Sequence, residues 1–113
     1  MTRGTIAGLY AITPDMSDTA ALLRMARRAL EGGAQLIQYR NKTADMALRM
    51  EQAVLLAHLC REVAVPFIIN DLPDLAAEID ADGVHLGKQD VSIAAARQQL
   101  GEGKIIGVSC YNE

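Results

Sequence analysis

Val65-Pro66-Phe67-Ile68-Ile69 runs through Asn70-Asp71-Leu72-Pro73-Asp74 into Leu75-Ala76-Ala77-Glu78-Ile79, and Gly83-Val84-His85-Leu86 follows. Within this stretch the chain changes period twice. An apolar run of strand length, with proline at its entrance where a missing N–H is tolerated, gives way to a short helix over 72–79. A second apolar run around 83–86 then reads as another strand. The connection is too long for a hairpin and is itself helical, so the two strands are expected to lie parallel, joined by a helical crossover.

The same unit repeats in both directions. Upstream, Ile6 to Ile12 reads as a first strand stopped by Thr13-Pro14-Asp15. Ser17 or Asp18 can cap a helix from Thr19 to Leu30, with Leu22, Leu23, Ala26, Ala29 and Leu30 on one face and Glu31-Gly32-Gly33 ending it. A second strand spans Gln35 to Tyr39. Thr43 is expected to cap a longer helix carrying Met46, Met50, Ala53, Val54, Ala57 and Cys60. Downstream, a helix over Ser92 to Leu100 precedes a fifth strand over Lys104 to Val108. Strict alternation of strand and helix predicts an α/β fold with a parallel sheet. No linker, low-complexity tract or second composition regime interrupts it.

Composition narrows the classes. The chain has 113 residues, 50% of them apolar and 22% charged, which is a globular rather than a disordered balance. Its net charge of −3 comes with no long basic run, so nucleic acid is not an expected partner. The longest clean apolar stretch near the N-terminus, Ile6 to Ile12, falls far short of the roughly 20 residues of a membrane span, and Met1-Thr2-Arg3-Gly4 lacks the charged region, apolar stretch and cleavage site expected of a secretory signal. Cys60 and Cys110 stand fifty positions apart without a metal-ligand pattern, as free thiols of a reducing cytoplasm would. Length alone favours a compact five-unit sandwich, since a complete (β/α)8 barrel needs about 200 residues or more.

The informative polar residues lie just past strand ends, where parallel α/β folds bind ligands. In Gln38-Tyr39-Arg40-Asn41-Lys42, alternation puts Gln38, Arg40 and Lys42 on one face and Ile37 and Tyr39 on the other. Two cations and an amide side by side suit a di- or triphosphate, or else a solvated loop leading into the next helix. Asn70-Asp71 leaves the third strand; Asp71 can cap the following helix or hold a cation. Asp90 lies nineteen positions later on the adjacent strand end, close enough for both carboxylates to share one Mg2+, though it can equally cap the helix starting near Ser92. Ser109, after the fifth strand, can donate to a phosphate oxygen but has no relay that would make it a nucleophile. His85 on its apolar strand reads as a hydrogen-bonded core histidine. One rim thus collects the parts of a magnesium–diphosphate site.

Gln38-Tyr39-Arg40-Asn41-Lys42, Asn70-Asp71 with Asp74-Leu75-Ala76, Ala81-Asp82-Gly83-Val84-His85-Leu86-Gly87 through Asp90, and Ile106-Gly107-Val108-Ser109 together resemble the thiamine-phosphate synthase family, in order and at its spacing. The resemblance implies a TIM (β/α)8 barrel of which residues 1–113 form the N-terminal half, (βα)4 plus strand five. It implies a transferase that condenses a hydroxymethylpyrimidine diphosphate with a thiazole phosphate, releasing pyrophosphate and giving thiamine phosphate. Gln38, Arg40 and Lys42, in a segment that includes Tyr39 and Asn41, would bind the diphosphate with Asn70 and Ser109, while Asp71 and Asp90 would hold Mg2+. The family's later diphosphate lysine and thiazole-phosphate loops have no counterpart here, so weak activity of the chain alone and association of copies through half-barrel edges are expected. Two other readings compete: a TenI-like thiazole tautomerase, and a flavodoxin-like or receiver-like binding module. The last would order its strands 2-1-3-4-5 rather than sequentially.

Overall fold

The computed structural model describes residues 9–87 and 93–108. Its elements alternate as read from the sequence: β1 (Leu9–Ile12), α1 (Thr19–Glu31), β2 (Ala34–Tyr39), α2 (Met46–Glu62), β3 (Phe67–Asn70), α3 (Pro73–Glu78), β4 (Gly83–Leu86), α4 (Ile93–Leu100) and β5 (Ile105–Val108). The strands form one five-stranded sheet in the order β1-β2-β3-β4-β5. Every neighbouring pair is parallel, with Ile12 opposite Gln38, Gln38 opposite Ile68, Ile68 opposite Gly83 and Gly83 opposite Ile105. A sequential order excludes the 2-1-3-4-5 arrangement of a flavodoxin-like or receiver-like module.

Strand alternation divides the sheet into two unlike faces. One face meets the helices: Ile37, Tyr39, Phe67, Ile69, Val84 and Leu86 pack with Leu22, Ala26, Ala53, Leu56, Cys60, Leu75, Ala76 and Ala96 in a single buried cluster. Each large side chain enclosed there contributes about 1.5–3 kcal/mol relative to exposure. The other face carries Tyr10, Ile12, Gln38, Ile68, Asn70, Gly83, His85, Ile105 and Gly107, and at its two margins Tyr10 is 70% and Ile12 58% exposed, with Ile105 39% exposed. Gly83 is required by close approach: a Cβ on it would lie 2.0 Å from the Ile105 carbonyl oxygen.

Local chemistry accounts for the boundaries and corrects several expectations. Asp18 caps α1, its carboxylate accepting the Ala21 N–H at 3.1 Å, and Gly33 takes φ +102° after the helix ends. The cap of α2 is Asp45 rather than Thr43; Asp45 accepts the Leu48 N–H at 2.9 Å, while the Thr43 hydroxyl donates to Asn41 Oδ1 at 3.1 Å. The buried stripe of α2 is also displaced, running through Gln52, Ala53, Leu56, Ala57, Leu59 and Cys60 and leaving Met46 51% exposed. Asp71 does not cap α3, whose N-cap position is Leu72, with no side-chain cap and with Pro73 in its first turn. The part of the expected first strand before Leu9 lies outside the described residues.

Candidate functional site

At the carboxyl end of the sheet, Thr13 joins the first two strands. Its N–H donates to the Gln38 carbonyl at 3.0 Å, and its hydroxyl accepts the Arg40 N–H at 3.0 Å while lying 3.3 Å from the Arg40 carbonyl as donor. The extended backbone therefore continues past β2, and alternation separates two sets of side chains. Gln38 lies on the inner face of the sheet, nearly buried. Tyr39 points into the helix-covered core, where its hydroxyl donates to Gln52 Oε1 at 2.7 Å. Burial pushes the Tyr39 phenol above its ordinary range, with Asn41 and Arg49 opposing the shift.

Asn41 is 5% exposed and both polar atoms of its side chain are occupied. Its Nδ2 donates to the Met16 carbonyl at 2.8 Å and to Gln52 Oε1 at 3.0 Å; its Oδ1 accepts from the Thr43 N–H and hydroxyl. The segment expected to touch substrate as a whole is thus split: the Tyr39 and Asn41 side chains anchor it, and Arg40 and Lys42 emerge from it. Arg40 stands 3.9 Å from Asp15 in a partly exposed ion pair, an arrangement worth about 0–1 kcal/mol that an anion readily displaces. The same Asp15 oxygen accepts the Lys42 N–H at 3.1 Å, and the Lys42 side chain is exposed. Arg49 of α2 supports this loop from below, its Nε donating to the Asn41 carbonyl at 3.0 Å and its Nη2 reaching the Lys42 carbonyl at 3.5 Å.

Asn70 and Asp71 leave β3 beside this loop. Asp71 has φ +63°, a left-handed conformation that Asp tolerates better than most residues. Its N–H donates to the His85 carbonyl at 2.7 Å, its Oδ1 accepts the Gly87 N–H at 2.9 Å, and its Oδ2 accepts from Asn70 Nδ2 at 3.2 Å. The carboxylate therefore bridges the exits of β3 and β4 and is held by neutral N–H donors, with no cation in ion-pair contact among the described residues. A half-buried carboxylate placed in this way beside an amide presents hard oxygen donors of the kind magnesium takes. Asp90, the second carboxylate expected at this metal, and Ser109 lie outside the described residues. His85 is half-buried on the inner face, opposite Asn70 and Gly107, rather than in the helix-covered core; a Cβ on Gly107 would come 2.9 Å from its Nδ1.

Between the two exits lies a cleft of about 120 Å3 lined by Arg40, Lys42, Arg49, Asn70, Asp71 and Leu72, among others. A larger cavity of about 360 Å3 sits at the opposite end of the strands, by Arg61, Asp80 and Asp82. Its two carboxylates already have structural partners, Asp82 accepting the Phe67 N–H at 2.8 Å and Asp80 pairing with Lys104 at 2.7 Å. The smaller cleft is the one that the rim residues expected from the sequence line. Sequence reasoning missed Thr13, Arg49 and Gln52; the one available signal was Gln52 itself, an amide flanking the apolar stripe of its helix.

Comparison with known proteins gives the family and the parent fold. Residues 9–113 match the family model described as thiamine monophosphate synthase. The thiamine-phosphate synthase of Nitrosospira multiformis is 60% identical over 98% of this chain and 47% of its own length. That of Aromatoleum aromaticum is 56% identical over 96% of this chain and 52% of its own. The structure of a thiamine phosphate pyrophosphorylase from Pyrococcus furiosus superposes with a TM-score of 0.78 at 38% identity, covering 92% of this chain and 50% of that one. The chain spans about half the length of the curated relatives it matches, and its sequential parallel sheet is about half of a (β/α)8 barrel.

Proposed function

We propose, given that the chain belongs to the thiamine monophosphate synthase family, that its rim forms the diphosphate- and metal-binding half of a thiamine-phosphate synthase site. The observation that carries this reading is the shared cleft: Arg40 and Lys42 just after β2, Asn70 at the end of β3 and Asp71 just after it line one opening at the carboxyl ends of adjacent strands. In the proposed reaction the bond between the pyrimidine methylene and the diphosphate oxygen breaks, the electron pair leaving with the diphosphate. The thiazole nitrogen then bonds to that methylene. No protein nucleophile is required; the demand is for charge stabilisation of the leaving group. Arg40 and Lys42 supply two positive charges on a backbone fixed by Thr13 and Asp15. Gln38 and Asn70 contribute amides on the inner face, with Ser109 expected beside them. Asp71, with Asp90, would hold Mg2+, which supplies further neutralisation of the departing diphosphate. The other half of such a site belongs to the part of the family barrel that this chain does not span.

Calorimetric titration of the chain with pyrophosphate, with and without Mg2+, tests the reading. Magnesium-dependent binding is expected, and heats indistinguishable from buffer would overturn it. Offering the pyrimidine diphosphate and thiazole phosphate together tests the condensation, and turnover of a thiazole phosphate tautomer alone would favour the tautomerase instead. The exposed Tyr10, Ile12 and Ile105 on the inner face, flanked by the edge strands β1 and β5, support association into a homo-oligomer. A monomer by light scattering at high concentration would refute that. No helix among the described residues is long and apolar enough to cross a membrane.

A further inference from the structure

Gln52 lies outside the set of groups that would touch an anion, yet it is 0% exposed and every hydrogen-bonding position of its amide is filled. Oε1 accepts from the Tyr39 hydroxyl at 2.7 Å and from Asn41 Nδ2 at 3.0 Å. Nε2 donates to the Met16 carbonyl at 3.0 Å and the Thr19 hydroxyl at 3.2 Å. A buried amide of this kind always ties elements together; what matters is which elements these are. Asn41 is the residue between Arg40 and Lys42. Met16 follows Asp15, whose Oδ1 accepts the Lys42 N–H at 3.1 Å and faces Arg40 at 3.9 Å. From one point on α2, Gln52 therefore fixes both the peptide that carries the two cations and the carboxylate that orients them.

We propose that Gln52 is a positioning residue for the anion cleft, setting the spacing of Arg40 and Lys42 through Asn41 on one side and the Asp15–Met16 turn on the other. This rests on the diphosphate reading above. An apolar side chain in its place leaves the number of cations unchanged but takes the acceptor from the Tyr39 hydroxyl and leaves the direct Asn41 Nδ2–Met16 carbonyl bond, 2.8 Å, as the one remaining tie of this network between the two loops, so the charges remain and their geometry loosens.

The test is the affinity of the full chain for magnesium pyrophosphate, by calorimetry well below the melting temperature. Gln52→Met is expected to weaken binding about tenfold or more. Leu59→Ala, a core truncation on the same helix away from both loops, is expected to melt at least as early yet bind within about twofold of the parent, because stability and cation geometry are separate quantities. Gln52→Glu keeps the acceptors for Tyr39 and Asn41 and lets the Thr19 hydroxyl turn to donate. At the Met16 carbonyl its second oxygen, fully buried, replaces the lost donor only when protonated, so the variant should fall between the parent and Gln52→Met, and it carries the test if Gln52→Met does not fold. Both Gln52 variants binding like the parent, or Leu59→Ala losing as much as they do, would overturn the proposal alone. No binding by the parent would overturn the diphosphate reading and this proposal with it.

Discussion

Replacing Asp71 by Asn, Gly and Ala separates three things its structure combines: a left-handed backbone, an acceptor for two N–H groups, and a charge. At φ +63° a residue with a Cβ is disfavoured relative to Gly by about 1–2 kcal/mol. The carboxylate accepts the Gly87 N–H at 2.9 Å and Asn70 Nδ2 at 3.2 Å, and a hydrogen bond to a charged acceptor contributes about 1.5–3 kcal/mol, toward the lower end for a half-buried group. Asp71→Gly loses these bonds but relieves the backbone, so a net loss of about 1–2 kcal/mol is expected. Asp71→Ala loses the same bonds and keeps the unfavourable φ, so it should lie about 1 kcal/mol below the glycine variant, the reverse of their order in a helix or strand. Asp71→Asn retains an acceptor for Gly87 and tolerates the backbone, so it should fall within about 1 kcal/mol of the parent. Urea denaturation followed by circular dichroism gives the stability order. Calorimetry with pyrophosphate gives the second readout, in which all three variants lose the magnesium dependence and Asp71→Asn does so with its fold intact. An alanine variant as stable as the glycine one would refute the backbone reasoning, and an asparagine variant that keeps full magnesium dependence would refute the carboxylate's role.

Arg40→Met and Lys42→Met should each weaken pyrophosphate binding about tenfold with little change in melting temperature, since the Arg40–Asp15 pair is partly exposed at 3.9 Å; a large drop in stability would show that these cations serve the fold instead. Gly83→Ala drives a Cβ to within 2.0 Å of the Ile105 carbonyl oxygen, and a loss of about 3 kcal/mol or more by urea titration is expected because backbone has to move. The Asp80 carboxyl is held below its ordinary range by the hydrogen bond and charge of Lys104. A depressed folded-state value means that this contribution is present above the ordinary carboxylate range and lost as pH falls through it; Lys104→Met should flatten that acid limb of the stability profile, and an unchanged limb would show the pair to be inert. Burial pushes the Cys60 thiol up to about 11, so peptide mapping after brief alkylation at pH 8 should find Cys60 unmodified in the native chain and modified in urea.

How far the sequence carried depended on whether a residue's role was set by its own segment or by a distant one. The order of elements was legible because periodicity and punctuation are local: Pro66 before β3, Gly32-Gly33 after α1 and the apolar core of each strand each announce themselves within a few residues. Thr43 and Asp45 both stand just ahead of the first turn of α2, so the segment by itself offers two caps. The competition is decided by Asn41, whose Oδ1 holds Thr43 while Asp45 takes the helix. Likewise Asp71 satisfies the sequence rules for a helix cap, yet its carboxylate reaches across to Gly87, sixteen residues on, a preference that only the β3–β4 pairing reveals.

The division of Gln38 to Lys42 shows why a rim of this kind is only half readable. Strand alternation predicts that Gln38, Arg40 and Lys42 share one face, and the Thr13 hydroxyl extends that alternation beyond the last ladder pair by bracketing Arg40. The intervening Tyr39 and Asn41 then necessarily face the helices, where a phenol and an amide are tolerated only if something polar meets them. That something is Gln52, thirteen residues after Tyr39 on a helix whose periodicity marks the position as core flank. The anchors are thus a consequence of the ligands. A strand that presents alternate polar residues to an anion has to place whatever lies between them in the core, and if those residues are polar the adjoining helix has to supply a buried partner. A polar residue about two turns inside the helix that follows such a strand is therefore a feature to look for in a sequence.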